Sequence, residues 1–88
     1  MKIHYRTRFE KEFSKLSKEI KEKLLKQEKI LKLNPFSPKL KTHKLHGPLS
    51  GFYAFSVDYK YRVIFSFSDN DKEVIELYSI GDHDIYYN

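Results

Sequence analysis

The sequence contains no cysteine, which excludes a disulfide framework and any thiolate-ligated metal site. It contains no apolar run approaching the roughly 20 residues of a membrane-spanning helix. No secretory leader is visible in the opening MKIHYRTRF, so the expectation is a cytoplasmic protein with no membrane partner. A serine nucleophile elbow, a phosphate-binding glycine loop and a zinc signature are all lacking. The 88 residues suffice for one domain, residues 1–88, with one modest core.

Lysine, tyrosine and phenylalanine are plentiful. The net charge of +5 is unevenly spread: residues 1–47 hold 14 Lys and Arg against 5 Asp and Glu, whereas residues 48–88 hold 3 against 7. A basic half suits a polyanion such as nucleic acid; solvated lysine faces on helices would give the same count.

The aromatics concentrate in GFYAFSVDYKYRVIFSF, residues 51–67. Tyr53, Phe55 and Val57 alternate with Phe52, Ala54 and Ser56. Asp58-Tyr59-Lys60 then turns the chain, and Tyr61, Val63, Phe65 and Phe67 alternate with Arg62, Ile64 and Ser66. Period two places the two sets on opposite sheet faces. The aromatic and aliphatic set calls for helices packed on it. The other set carries Arg62, which needs an anionic partner or an open cleft.

The remaining segments arrange themselves around this hairpin. Residues 2–6 alternate as a short strand. Thr7-Arg8-Phe9-Glu10 has the form of a capping box, and Phe9, Phe13 and Leu16 lie on one helical stripe. Ser17 is placed to cap a second helix with Glu19 in its first turn. That helix has an apolar face of Ile20, Leu24, Ile30, Leu31 and Leu33, and Asn34-Pro35 stops it. Residues 35–50 form a long basic loop. Ser68 to Lys72 is a turn cluster, Glu73 to Ile80 a last strand broken by Gly81, and residues 82–88 a short tail. The fold class is α+β: a short N-terminal strand and a helical hairpin on one face of a small antiparallel sheet, in the order β-α-α-β-β-β.

Four features carry potential chemistry: His43-x-x-His46 in the loop, Arg62, His83 and the pair Tyr86-Tyr87. Histidine moves protons near neutral pH, arginine offers a fork suited to phosphate, and tyrosine stacks on bases. Together they form a workable set for metal-free RNA cleavage. Other readings of the same residues stand beside this one. Arg62 pairs with Glu76 across the sheet, the loop histidines have no task, or Tyr86 and Tyr87 pack on the sheet edge. Binding of a metal by the histidines with Asp82 or Asp84 has no recognised ligand spacing behind it, so no metal or other cofactor is expected.

Residues 43–88 resemble the RelE/ParE superfamily of bacterial toxins, within its RelE/StbE and YafQ-like mRNA interferases. The matching phrases are KTHKLHGPLSGFYAFSV, DYKYRVIF and IGDHDIYY, which combine an LxG loop, SGxY, YRVIF and IGxHxxxY. KIHYRTRFEKEFSKLSKEIKEKL suits the family's opening strand and helix hairpin. The resemblance implies the toxin of a type II toxin–antitoxin pair. Such a toxin is a metal-independent endoribonuclease that cuts messenger RNA, often on the ribosome, and is silenced by a cognate antitoxin.

It further implies His43 as general base, Arg62 as the holder of the scissile phosphate, His83 beside the leaving group and Tyr87 as the aromatic that orients the nucleotide. Lys41, Lys44, His46, Ser56, Lys60 and Tyr86 are the expected RNA contacts. Ser56 departs from the family's strand His or Lys, and Lys60 stands near a family Asp. Lys60, Lys44 or His46 then supplies the missing phosphate charge, and His46 is the alternative base. Local charge favours the same division. The lysines around His43 favour its neutral form, and Asp82 and Asp84 favour a protonated His83. The rival functions are a ParE-like toxin that binds DNA gyrase without nuclease chemistry, and a non-catalytic RNA-binding module.

Overall fold

In a computed structural model, which describes residues 1–82, the hairpin lies at the centre of a five-stranded sheet. The chain runs β1 (Lys2–Tyr5), α1 (Thr7–Ser14), α2 (Lys18–Leu33), β2 (His43–Lys44), β3 (Tyr53–Ser56), β4 (Arg62–Phe67) and β5 (Val74–Gly81), with short 3₁₀ turns at Pro38–Leu40 and Gly47–Leu49. The spatial order is β1-β5-β4-β3-β2. The expected α+β architecture holds, with two additions. β1 pairs with β5 in parallel, which makes the sheet mixed. The long loop also contributes β2, a two-residue edge strand against β3.

Phe55, Val57, Val63, Phe65, Ile75 and Leu77 form the helix-facing side of the sheet and are buried with Phe9, Leu24 and Leu31. Rings lock this layer: Tyr53 stacks on Phe65 at 5.6 Å, and Phe55 lies 5.7 Å from Phe65. Each fully buried large side chain here contributes about 1.5–3 kcal/mol of transfer free energy. A bulge in β5 interrupts the alternation, because Ile64 pairs with Ser79 but Phe65 with Leu77. Tyr78 is thereby left unpaired, and the inward positions shift from Ile75 and Leu77 to Ile80, which joins the core.

Local expectations from the sequence fare unequally. Ser17 caps α2, its Oγ accepting from the Ile20 N–H at 3.3 Å. The capping box at Thr7 does not form. Thr7 is already the first helical residue of α1, Arg6 occupies the cap position without a capping hydrogen bond from its side chain, and the Glu10 N–H donates to the Arg6 carbonyl. Leu33 is 88% exposed and so belongs to no buried face. β5 stops at Gly81 as expected, one residue beyond Ile80, with Gly81 still paired to Arg62.

Beneath α2, Glu28 is only 6% exposed and accepts a hydrogen bond from the Tyr5 hydroxyl. Burial pushes the Glu28 carboxyl above its ordinary range, and the Tyr5 hydrogen bond and Lys32 partly offset this. Burial and the neighbouring carboxylate in turn push the Tyr5 phenol upward. A carboxyl with a raised folded pKa lowers stability as pH rises through that value and imposes no such loss below the unfolded value. Tyr5→Phe removes the donor, so it should lower stability at neutral pH by about 1–3 kcal/mol. Most of that loss should vanish at a pH below the ordinary carboxylate range, where a carboxyl with a raised pKa is already protonated. Urea unfolding at the two pH values checks this; an equal loss at both would contradict it.

Candidate active site

The turn that joins β3 to β4 is built by Asp58. Its Oδ1 accepts from the Lys60 N–H at 2.9 Å and the Tyr61 N–H at 2.7 Å, and Lys23 Nζ lies 3.6 Å from Oδ2. Burial opposes the charge on Asp58, but these two N–H groups and Lys23 outweigh it and hold the carboxyl below its ordinary range. The turn fixes two backbone carbonyls, of Asp58 and Tyr61, which receive Arg62 Nη1 at 2.6 and 3.0 Å.

Arg62 is thus oriented by neutral acceptors. Among the described residues no carboxylate lies within ion-pair distance of it. The pairing with Glu76 does not occur, since Glu76 instead receives His4 at 3.1 Å and Arg6 at 3.0 Å. The guanidinium therefore keeps its full charge for a ligand.

It faces a hollow of about 230 Å³ lined by Gln27, Lys39, Lys41, Ser56, Asp58 and Arg62, with Val57 and Tyr59 beside them. Three cations meet one carboxylate there, and that carboxylate is already engaged by the turn. Such a hollow attracts an anion. Its far wall is the basic loop, which α2 pins in place: Gln27 Nε2 donates to the Ser56 carbonyl at 2.7 Å and to the Lys39 carbonyl at 3.3 Å. Leu40 anchors the same loop in the core. Lys41 adopts a left-handed backbone conformation at φ 54°, a conformation that L residues other than glycine seldom take and that clusters at functional sites.

His43 follows in β2, so it stands on a sheet edge rather than in an irregular loop. It pairs with Ala54, while Arg62 pairs with Ser56. Residues paired across strands share a face, and Ala54 and Ser56 have the same parity, so His43 and Arg62 stand on one face. Two strand spacings and two residue steps separate them, about 12 Å between Cα atoms. Two long side chains can close that span around a phosphodiester. His43 Nδ1 lies 3.3 Å from the Lys41 carbonyl. A carbonyl only accepts, so in the neutral ring Nδ1 carries the proton and Nε2 is the basic nitrogen.

The structure therefore brings Lys41, Ser56 and Arg62 to one hollow, with His43 on the same face. It separates others from them. Lys44 pairs with Tyr53 and has the opposite parity. His46 borders a different hollow with Ser50 and Gly51. Lys60 is exposed in the turn, with its Nζ 5.5 Å over the Tyr61 ring. His83, Tyr86 and Tyr87 lie outside the described residues. Among the described residues no cluster of three or more His, Asp or Glu suits a metal ion, and no helix is long and apolar enough to cross a membrane. Lys39 and Gln27 are additions to the site. Gln27 has a signal in the sequence: it is a polar residue on the apolar stripe of Leu24 and Leu31.

No protein-family model matches the sequence, and no curated protein does. Solved structures do match. YafQ from E. coli superposes with a TM-score of 0.78 over 98% of this chain and 97% of that one, at 20% identity. The archaeal RelE–RelB complex from Pyrococcus horikoshii matches at 26% identity over 92% of both chains, with a TM-score of 0.74. This chain has the fold of the RelE/ParE toxin superfamily. The YoeB–YefM complex from Staphylococcus aureus is similar as well, with a TM-score of 0.75 at 20% identity over 94% of this chain and 97% of that one. The YoeB–YefM pair from Staphylococcus aureus is described as a toxin–antitoxin complex.

Proposed function

We propose that the protein is the toxin of a type II toxin–antitoxin pair and acts as a metal-independent endoribonuclease on messenger RNA in the cytoplasm, most effectively on the ribosome. The observation that carries this reading is the Arg62 hollow: a charged guanidinium held by backbone carbonyls, flanked by Lys39 and Lys41, on the same face as His43. In the proposed reaction His43 Nε2 takes the proton of a ribose 2′-OH. The oxygen attacks the adjacent phosphorus, forming the O2′–P bond while the P–O5′ bond breaks. An acid protonates the departing O5′, leaving a 2′,3′-cyclic phosphate and a 5′-OH. Arg62 neutralises the charge that grows on the phosphoryl oxygens, with Lys41 and Lys39 adding to the field. Ser56 borders the phosphate, and His83 as acid, Tyr87 as orienting ring and Tyr86 as RNA contact complete the set by resemblance to the family. A gyrase-binding toxin has no use for an anion hollow on the same sheet face as a histidine, so that reading is the weaker one.

The basic helices and this hollow also suit a partner rich in carboxylates. We propose a small acidic antitoxin, in keeping with the RelB and YefM complexes formed by the structural neighbours. Expressed alone in a bacterial host, the protein should halt translation, and 5′ ends mapped on messages should appear inside coding regions. Normal growth with intact, folded toxin present would count against this function. The chemistry requires no metal, so cleavage of an isolated RNA should persist in EDTA; loss on chelation would contradict the proposed mechanism.

A further inference from the structure

On the same sheet face as Arg62, further along β4, lies a second hollow of about 360 Å³. Its walls are Leu49, Phe52, Ile64 and Tyr78, and its rim is formed by Arg6 and Arg8. The β5 bulge creates it, because the unpaired Tyr78 is turned out of the core beside Ser79. Phe52 meets Tyr78 edge to face at 4.8 Å, and the Arg6 guanidinium lies 5.3 Å over the Tyr78 ring.

Both arginines are already held. Arg6 Nη1 is 3.0 Å from Glu76, and Arg8 Nε is 3.4 Å from Glu12. Glu12 also accepts from the Ser79 hydroxyl at 2.8 Å and the Ile80 N–H at 3.1 Å. Two guanidiniums facing two carboxylates leave little net charge, so this hollow is a poor phosphate site, unlike the one at Arg62. It offers instead aromatic and aliphatic walls and a guanidinium plane fixed in position. Those features suit a flat, neutral, heteroaromatic ring. Ile64 is two residues from Arg62 and Phe52 lies opposite the next outward position, so the hollow begins about 7–13 Å from Arg62 along the strands. Two to four stacked nucleotides cover that distance at about 3.4 Å each.

We infer that this hollow is a nucleobase subsite for the RNA substrate, gripping a base within about four nucleotides of the scissile phosphate. The inference rests on the ribonuclease reading and adds a position at which that enzyme grips its substrate. Its occupant follows from continuity with the Arg62 hollow on one face and from the contrast in charge: phosphate at Arg62, base at Tyr78.

The test uses the full chain and a non-cleavable 2′-O-methyl hexanucleotide, with each base replaced in turn by an abasic residue. The wild type should lose at least about five-fold in affinity at one position, as expected for one stacked base. Tyr78→Leu and Phe52→Leu keep an apolar side chain and remove the ring face. Each should weaken the intact strand by a similar factor and become indifferent to the abasic residue at that position. The penalty should be insensitive to salt, whereas the loss in Arg62→Ala should shrink as salt rises. If the wild type does not bind the strand, the subsite is overturned, while the ribonuclease reading stands or falls on cleavage of messages on translating ribosomes. If Arg62→Ala weakens binding but both ring variants keep the wild-type abasic profile, the subsite alone is overturned. The same holds if the ring variants weaken only binding of a protein partner.

Discussion

Arg62→Ala is expected to lower the rate of RNA cleavage by about two to three powers of ten, the usual effect of removing one fixed donor from a charge-developing transition state. The structure makes this a clean experiment. Arg62 donates to two backbone carbonyls and has no ion-pair partner among the described residues, so its removal leaves no buried carboxylate behind. The fold should survive with a loss on the order of 1 kcal/mol. Arg62→Lys should recover little, because an ammonium cannot hold both carbonyls and a phosphate in one plane. Single-turnover cleavage together with circular dichroism separates the outcomes. An unfolded Arg62→Ala protein would make the residue a structural strut of the β3–β4 turn.

His43→Gln should cost about two to four powers of ten in the same step. Glutamine keeps a donor for the Lys41 carbonyl but has no nitrogen able to take a proton. The wild-type rate should trace a bell against pH, as required when one group accepts a proton and another donates. The limb that reports the base should disappear in the variant. His46→Gln provides the contrast. His46 borders another hollow, so its replacement should change the rate by less than about ten-fold, below the range for an acid–base residue. A full-strength His43→Gln enzyme alongside an inactive His46→Gln enzyme would transfer the base role to His46.

The parts of this molecule legible from sequence are those governed by local periodicity. The strict alternation from Tyr53 to Phe67 gave both strands of the hairpin and put Arg62 on the face away from the helices. Ser17 announced the start of α2 because its hydroxyl needs only the N–H three residues on. What stayed hidden depends on pairing between distant segments. Nothing near Lys2–Tyr5 says that β1 will run parallel to β5. Nothing in His43-Lys44 says that two residues of a proline-flanked loop will join the sheet edge, and that pairing decides that His43 shares a sheet face with Arg62 while Lys44 does not. Thr7 matches a capping box in sequence, yet β1 hands the chain over one residue earlier and the helix begins at Thr7 itself. Tyr78 alternates like any strand residue, and only the register of Ile64 and Phe65 against β5 reveals the bulge that turns it outward. Lys39 carries no such signal, because its contribution depends on Gln27, twelve residues earlier, holding its carbonyl beside Ser56.

The most direct measurement is the chemistry of the cut ends. Purified protein is incubated with translating ribosomes, and both termini of each cleaved message are analysed for the wild type and for Arg62→Ala. The account predicts fragments ending in a 2′,3′-cyclic phosphate opposite a 5′-OH for the wild type, and almost none for the variant. Fragments with a 3′-OH and a 5′-phosphate, or equal cleavage by folded Arg62→Ala protein, would contradict it.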